Sequence, residues 1–163
     1  MLLINKEFEN TKFKLDKIQF VKSFCTFEKE FTFNEFFNFA DKLEYQLEIY
    51  GPKLKLKDFN KFSFGKQLNE LWKNKLNLAK NIKIDTYVFA SLTKLGISES
   101  HVDEETVFLI PAYGEVFYTL YLNEKEQLNY FLEVGDLLII PKGIMHAAIP
   151  IKPRIVFSTG IFN

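Results

Sequence analysis

The sequence predicts a mainly β fold, α+β in overall composition, in which a jelly roll follows two helices. Three observations predict it. From Asn81 onward, short apolar runs rich in β-branched and aromatic residues recur at regular spacing between turn-forming residues, which is the signature of a sandwich or barrel. Before Asn81, two stretches carry apolar residues every three or four positions, as helices with one buried face do. With 163 residues, 47% of them hydrophobic and 17% aromatic, including 19 phenylalanines, the chain has enough apolar surface to build a core. A single domain over 1–163 is expected, with a helix-and-strand region over 1–80 packing on a β core over 81–163.

The elements follow in order. Ile18-Gln19-Phe20-Val21 reads as a short strand. Thr32-Phe33-Asn34-Glu35 opens a helix carrying Phe36, Phe37, Phe39 and Ala40, with Thr32 as cap and Glu35 three residues on, the spacing of a capping box; Leu43 extends that face. Tyr45 to Tyr50 alternates at period two and stops at Gly51-Pro52, a strand and its turn. Phe64, Leu68, Leu71, Trp72 and Leu76 place a second helix over Ser63 to about Ala79. Both helices are expected on the outside of a sheet, and the lysines between them are read as a solvated surface.

After Asn81 the strand candidates are Ile82 to Leu92, Thr106 to Ala112, Glu115 to Leu122, Gln127 to Leu132, Asp136 to Ile140 and Arg154 to Ile161. Turns fall at Gly96 with Ser98-Glu99-Ser100, at Tyr113-Gly114, Asn123-Glu124-Lys125 and Val134-Gly135, and between Pro150 and Pro153.

Two short stretches carry chemistry. One is Gly135-x5-Pro141-x-Gly143-x2-His146, a buried strand and tight reversal that deliver a histidine to the mouth of a β structure. The other is His101-Val102-Asp103, whose imidazole and carboxylate share one side if the segment is extended. The chain has two histidines, and both lie in these stretches. Two histidines and one carboxylate form the facial ligand set of non-haem Fe(II) oxygenases, so His101, Asp103 and His146 are the candidate metal ligands. The competing reading leaves His101 in an exposed loop and His146 as the end of a strand.

Composition narrows the partners. Acidic and basic residues balance at 21 each, so the net field argues for neither nucleic acid nor an anionic membrane. Cys25 is the only cysteine; it can form no internal disulfide or cysteine-based zinc site and reads as a small buried hydrophobe. Met1 to Glu7 turns polar too quickly for a signal peptide and no apolar run reaches spanning length, so a cytoplasmic location is expected.

The Gly/Pro/Gly/His pattern ending at His146 resembles the second conserved motif of the cupin superfamily, whose fold is a double-stranded β-helix. With the strands placed, the resemblance narrows to the JmjC-like cupins, which are Fe(II)- and 2-oxoglutarate-dependent oxygenases that include hydroxylases of protein side chains. His101 to Ile110, with Gly114 thirteen residues after the histidine, is similar to that family's His-x-Asp strand and glycine turn; Leu132 to His146 is similar to the segment bringing in the distal histidine, and Val156 to Gly160 to the closing strand. The similarity covers roughly residues 82–163. It implies iron as metal, 2-oxoglutarate as cosubstrate and a homodimer.

One position departs from the family. Where many members place a Lys or Arg for the distal carboxylate of 2-oxoglutarate, two residues after the glycine, this chain has Val116. Arg154, the only arginine, is the candidate replacement because its fork fits a carboxylate and related oxygenases place an anchoring arginine near the last strand. An ordinary loop role beside Pro153 is the alternative. Ser98, Tyr87 and Tyr118 are candidates for hydroxyl contacts to the cosubstrate. Three functions follow: an Fe(II)/2-oxoglutarate hydroxylase acting on a peptide, a protein side chain or a small metabolite; a cupin metalloenzyme without 2-oxoglutarate, such as a dioxygenase or isomerase; or a metal-free binding or assembly module.

Overall fold

In the computed structural model, which describes residues 2–42, 47–79, 81–94 and 98–162, the strands expected after Asn81 all form. They are β6 (Lys83–Ser91), β7 (Thr106–Tyr113), β8 (Val116–Tyr121), β9 (Gln127–Leu132), β10 (Leu137–Ile140) and β12 (Arg154–Phe162). The N-terminal half adds β1 (Leu2–Ile4), β2 (Gln19–Val21), β3 (Cys25–Phe27), β4 (Leu47–Tyr50) and β5 (Lys53–Leu56), with α1 (Phe33–Lys42) and α2 (Ser63–Leu76). A further strand, β11 (Met145–Pro150), follows the Pro-x-Gly turn and carries His146.

One sheet of seven strands has the order β2-β10-β7-β12-β6-β5-β4, and a smaller one has the order β11-β8-β9. Strands β7, β10 and β12 are buried on both faces, so their side chains divide by parity. Val107, Leu109, Leu138, Ile140 and Val156 meet Val116, Tyr118, Leu120 and Leu132 of the small sheet to form the core between the sheets. Phe108, Ile110, Leu137, Ile139 and Ile161 face the other way, onto Phe24 and Trp72. Phe157 joins Phe31, Phe36, Phe59 and Leu68 in an adjoining aromatic cluster. Trp72 stacks on Phe24 at 5.8 Å and tilts against Phe108 at 4.4 Å. The phenylalanine-rich helices are therefore packing elements on the outer face of the large sheet.

The N-terminal half also supplies strands to that sheet, with β2 on one edge and β5 and β4 on the other. The lysines of β5 thus belong to a strand, on a face that stays partly open to solvent. Thr32 and Glu35 form the expected capping box: the Thr32 N–H and hydroxyl donate to Glu35, and the Glu35 N–H donates back at 3.4 Å. Helix α2 stops at Leu76, short of Ala79, because Asn77 takes the left-handed conformation and closes the last turn, a role asparagine tolerates. Leu43, Tyr45, Gln46 and Gly96 lie outside the described residues.

Two turns fix the strands that frame the site. Gly135 has φ +85°, and a side chain there would run into the Cys25 carbonyl. Next to it Asp136, almost fully buried, accepts the N–H groups of Ser23 at 2.8 Å and Glu133 at 2.9 Å and faces Lys22. At the same C-terminal end of β7, Gly114 has φ +70° and packs against the Pro153 carbonyl, at the start of β12. No helix among the described residues is long and apolar enough to cross a membrane.

Candidate metal centre

His146 is the second residue of β11 and His101 precedes β7, and a two-residue bridge joins them. Each backbone N–H donates to the other's carbonyl, at 3.0 and 2.9 Å. The Asp103 carbonyl accepts the Gly143 N–H at 3.1 Å, so the turn before β11 also holds the His-x-Asp segment. Ligand atoms of His101, Asp103 and His146 all lie within 4.8 Å of one another. Asp103 Oδ2 is 3.4 Å from His146 Nε2, its Oδ1 is 3.7 Å from His101 Nε2, and the two imidazole rings are 4.4 Å apart between centroids.

Both histidines use Nδ1 on backbone. His101 Nδ1 meets the Glu99 carbonyl at 2.9 Å and His146 Nδ1 meets the Ile144 carbonyl at 3.0 Å. A carbonyl accepts only from a protonated nitrogen, so this pairing favours the Nδ1–H tautomer and turns a lone pair on each Nε2 toward Asp103. His146 is buried, His101 is exposed and Asp103 is intermediate. Burial lowers the pKa of His146, and the His101 charge works in the same direction; the Ile144 carbonyl and Asp103 oppose them. The neutral imidazole is the ligating form. Three donors converging from one side, two neutral nitrogens and one anionic oxygen, suit a divalent transition metal.

Arg154 opens β12 and is 5% exposed, so it is no loop residue. Its parity with Val156 points it into the space between the sheets. Its Nε and Nη1 are buried without a hydrogen-bond partner. The Tyr118 hydroxyl is the polar group beside it. Burial raises the Tyr118 pKa, the charge and hydrogen bond of Arg154 pull it back, and Asp103 adds a smaller upward push. Tyr118 therefore feels both the Arg154 cation and the Asp103 carboxylate. Val116 is fully buried in the inter-sheet core, paired with Leu132 and Pro150, and supplies no charge.

The other two candidates lie elsewhere. Ser98 clamps β11: its N–H donates to the Ala148 carbonyl at 2.9 Å and its oxygen accepts the Ala148 N–H at 2.8 Å. Tyr87 sits on β6 beneath Lys55, whose ammonium is 4.5 Å from the ring centroid. Arg154 and Tyr118 come together, while Ser98 and Tyr87 do not join them. Sequence reading missed Glu105, which lies against Gly160 with its Cγ 2.8 Å from the position a Cβ would take. A glycine inside a strand was the available signal of such a close approach.

No protein-family model matches the sequence, and no curated protein matches it significantly. Solved structures do match. The ribosomal oxygenase YcfD from Escherichia coli, in complex with cobalt and succinic acid, superposes with a TM-score of 0.73 at 16% identity, covering 99% of this chain and 52% of that one. Its complex with cobalt and 2-oxoglutarate gives 0.70 at 16% identity, over 99% and 53%. A variant of oxalate decarboxylase from Bacillus subtilis gives 0.53 at 12% identity, over 70% and 26%. The chain spans about half the length of the oxygenase it matches. At these identities the likeness is one of fold, a β-rich jelly roll of the kind found in these proteins.

Proposed function

We propose that this chain is an Fe(II)- and 2-oxoglutarate-dependent oxygenase that hydroxylates a peptide, a protein side chain or a small metabolite. The observation that carries the reading is Arg154, a guanidinium buried between the sheets with two unpartnered nitrogens, on a fold whose His-Asp-His cluster gathers within 4.8 Å. A buried cation without a counter-ion costs several kcal/mol, and the distal carboxylate of a dicarboxylic keto acid is a partner of the right charge and shape. That the neighbouring oxygenase structures hold cobalt with 2-oxoglutarate or succinic acid supports the same assignment.

In this reading His101 and His146 ligate through Nε2, and Asp103 through a carboxylate oxygen. The Glu99 and Ile144 carbonyls hold the tautomer that makes those nitrogens available. Iron, when bound, supplies the activation of oxygen and the oxidation of a C–H bond, as 2-oxoglutarate becomes succinate and carbon dioxide. Arg154 anchors the far end of the cosubstrate and Tyr118 adds a hydroxyl donor to the same carboxylate. Buried Val116, Leu120 and Ile140 exclude water from the interior.

The second reading, a cupin metalloenzyme without 2-oxoglutarate, draws on Val116, which occupies the expected place of the anchoring cation. Succinate formation separates the two. Protein loaded with Fe(II) under anaerobic conditions and then given oxygen and 2-oxoglutarate is expected to release succinate, even without substrate, at a slow uncoupled rate. Metal binding without any succinate would transfer the assignment to the second reading.

A further inference from the structure

The segment Lys53-Leu54-Lys55-Leu56-Lys57 alternates at the strand period. Leu54 and Leu56 are buried in the outer aromatic cluster, so the three lysines lie on the inner face of the large sheet, each half-buried. The small sheet does not cover them, since the inter-sheet core contains no residue of β4, β5 or β6. What remains is an open floor beside the barrel mouth. The Lys55 ammonium rests on it, 4.5 Å from the Tyr87 ring centroid and 5.2 Å from that of Phe89.

Two of the lysines on this floor are in salt bridges and two are not. Lys57 pairs with Glu48, which also accepts the Tyr50 hydroxyl at 2.7 Å, and Lys83 pairs with Asp85 at 2.8 Å. Lys53 and Lys55 form no salt bridge among the described residues, although Glu48 lies across from Lys55 and the Glu105 charge also reaches it. The floor runs on to the candidate metal centre. Cross-strand pairs Phe89–Val156, Tyr87–Ser158 and Asp85–Gly160 step down β12, and Gly160 carries Glu105, two residues from Asp103.

We infer that this face binds an acidic peptide segment in extended conformation, with Lys53 and Lys55 taking two of its carboxylates and the residue to be modified reaching past Glu105 toward Asp103. Alternate lysines of a strand stand about 6.6 Å apart, the spacing of alternate side chains on an extended peptide. The Tyr87 and Phe89 rings hold the Lys55 ammonium in place, so a carboxylate meets it at reduced entropic cost. A nucleic acid fits less well, because Lys55 already covers the ring faces on which bases would stack. The chemistry at Asp103 rests on the oxygenase reading; the binding of acidic peptide does not.

Two capped pentapeptides test the inference, one with glutamate and one with lysine at the second and fourth residues. Each is titrated by NMR into isotope-labelled protein, first without metal and then with Mn(II) and 2-oxoglutarate. The glutamate peptide is expected to bind and to shift the amide signals of Tyr87 and Phe89. Lys55→Gln should weaken it about tenfold, the worth of one charge-assisted hydrogen bond, and Lys53→Gln should weaken it as well. Lys66→Gln, an exposed change on α2, should leave it unaltered. Equal binding of the lysine peptide, unchanged affinity in Lys55→Gln, or tighter binding of a uridine hexanucleotide would overturn the inference. So would a loss of 2-oxoglutarate affinity in Lys55→Gln, which would place the lysine in the cosubstrate pocket. Glutamate-peptide binding that depends on Lys55, in a protein that takes neither metal nor 2-oxoglutarate, would refute the oxygenase reading and leave this one standing.

Discussion

Replacing Arg154 by methionine separates the cost of burying a charge from its use. In the unliganded protein, the guanidinium is 5% exposed with Nε and Nη1 unpartnered. A methionine of similar length removes that desolvation cost and keeps the packing volume, and exchanges of this kind for buried charges have been neutral or stabilising by about 1–4 kcal/mol. Where 2-oxoglutarate binds, the same change removes a charge-assisted hydrogen bond worth roughly 1.5–3 kcal/mol, which is about 10- to 150-fold in the dissociation constant. Arg154→Met should therefore melt at the same temperature as the wild type or higher, bind metal as before, and bind 2-oxoglutarate at least tenfold more weakly. Thermal melts and calorimetric titration of the metal-loaded proteins measure the two effects. Equal 2-oxoglutarate affinity would remove Arg154 from the cosubstrate pocket. A strongly lowered melting temperature would show that the guanidinium supports the fold.

Two further predictions concern groups away from the site. Glu35 is held at about 2 by Lys29 first and by Thr32 second. Its contribution to stability is complete above the ordinary carboxyl value of 4.5 and is lost as pH falls toward 2. Thr32→Ala, which breaks the capping box, should cost about 1 kcal/mol at neutral pH, and the difference from wild type should shrink in acid unfolding titrations. The Cys25 thiol is pushed up to about 12, by burial first and then by the Asp136 charge. It should resist an aromatic disulfide reagent at pH 8 in the native protein and react fully in denaturant, and fast native reaction would contradict its place beneath Gly135.

The β half of the fold was legible because its signals are local. Runs such as Asp136 to Ile140 and Thr106 to Ala112 alternate with turn residues, and period two fixes which side chains share a face. That His101, Asp103 and His146 come together was legible because His101 and His146 are the only histidines and each sits beside a turn that constrains it. Other features depend on contacts distant in sequence. That Lys53, Lys55 and Lys57 share one face of the large sheet emerges only once β5 is seen to pair with β6. Arg154 follows Pro153, a loop context, and nothing near it in sequence shows that β12 carries its side chain between the sheets. Ser98 resembled a ligand contact, but its hydroxyl is engaged by the β11 backbone. Strand β11 itself, with Ala147 and Ala148 at its centre and Ile149 as its single β-branched residue, carries little of the signal by which the other strands declared themselves.

The central claim is that His101, Asp103 and His146 hold one divalent metal ion. Titration of metal-free protein with Co(II), followed by visible absorption, tests it directly, because the ligand-field bands report coordination without requiring turnover. One equivalent per chain is expected for the wild type, with binding abolished in His101→Ala and in His146→Ala; His101→Ala should also retain the wild-type melting temperature of the metal-free protein, since His101 is exposed. Unchanged stoichiometry and spectra in both variants would contradict the assignment.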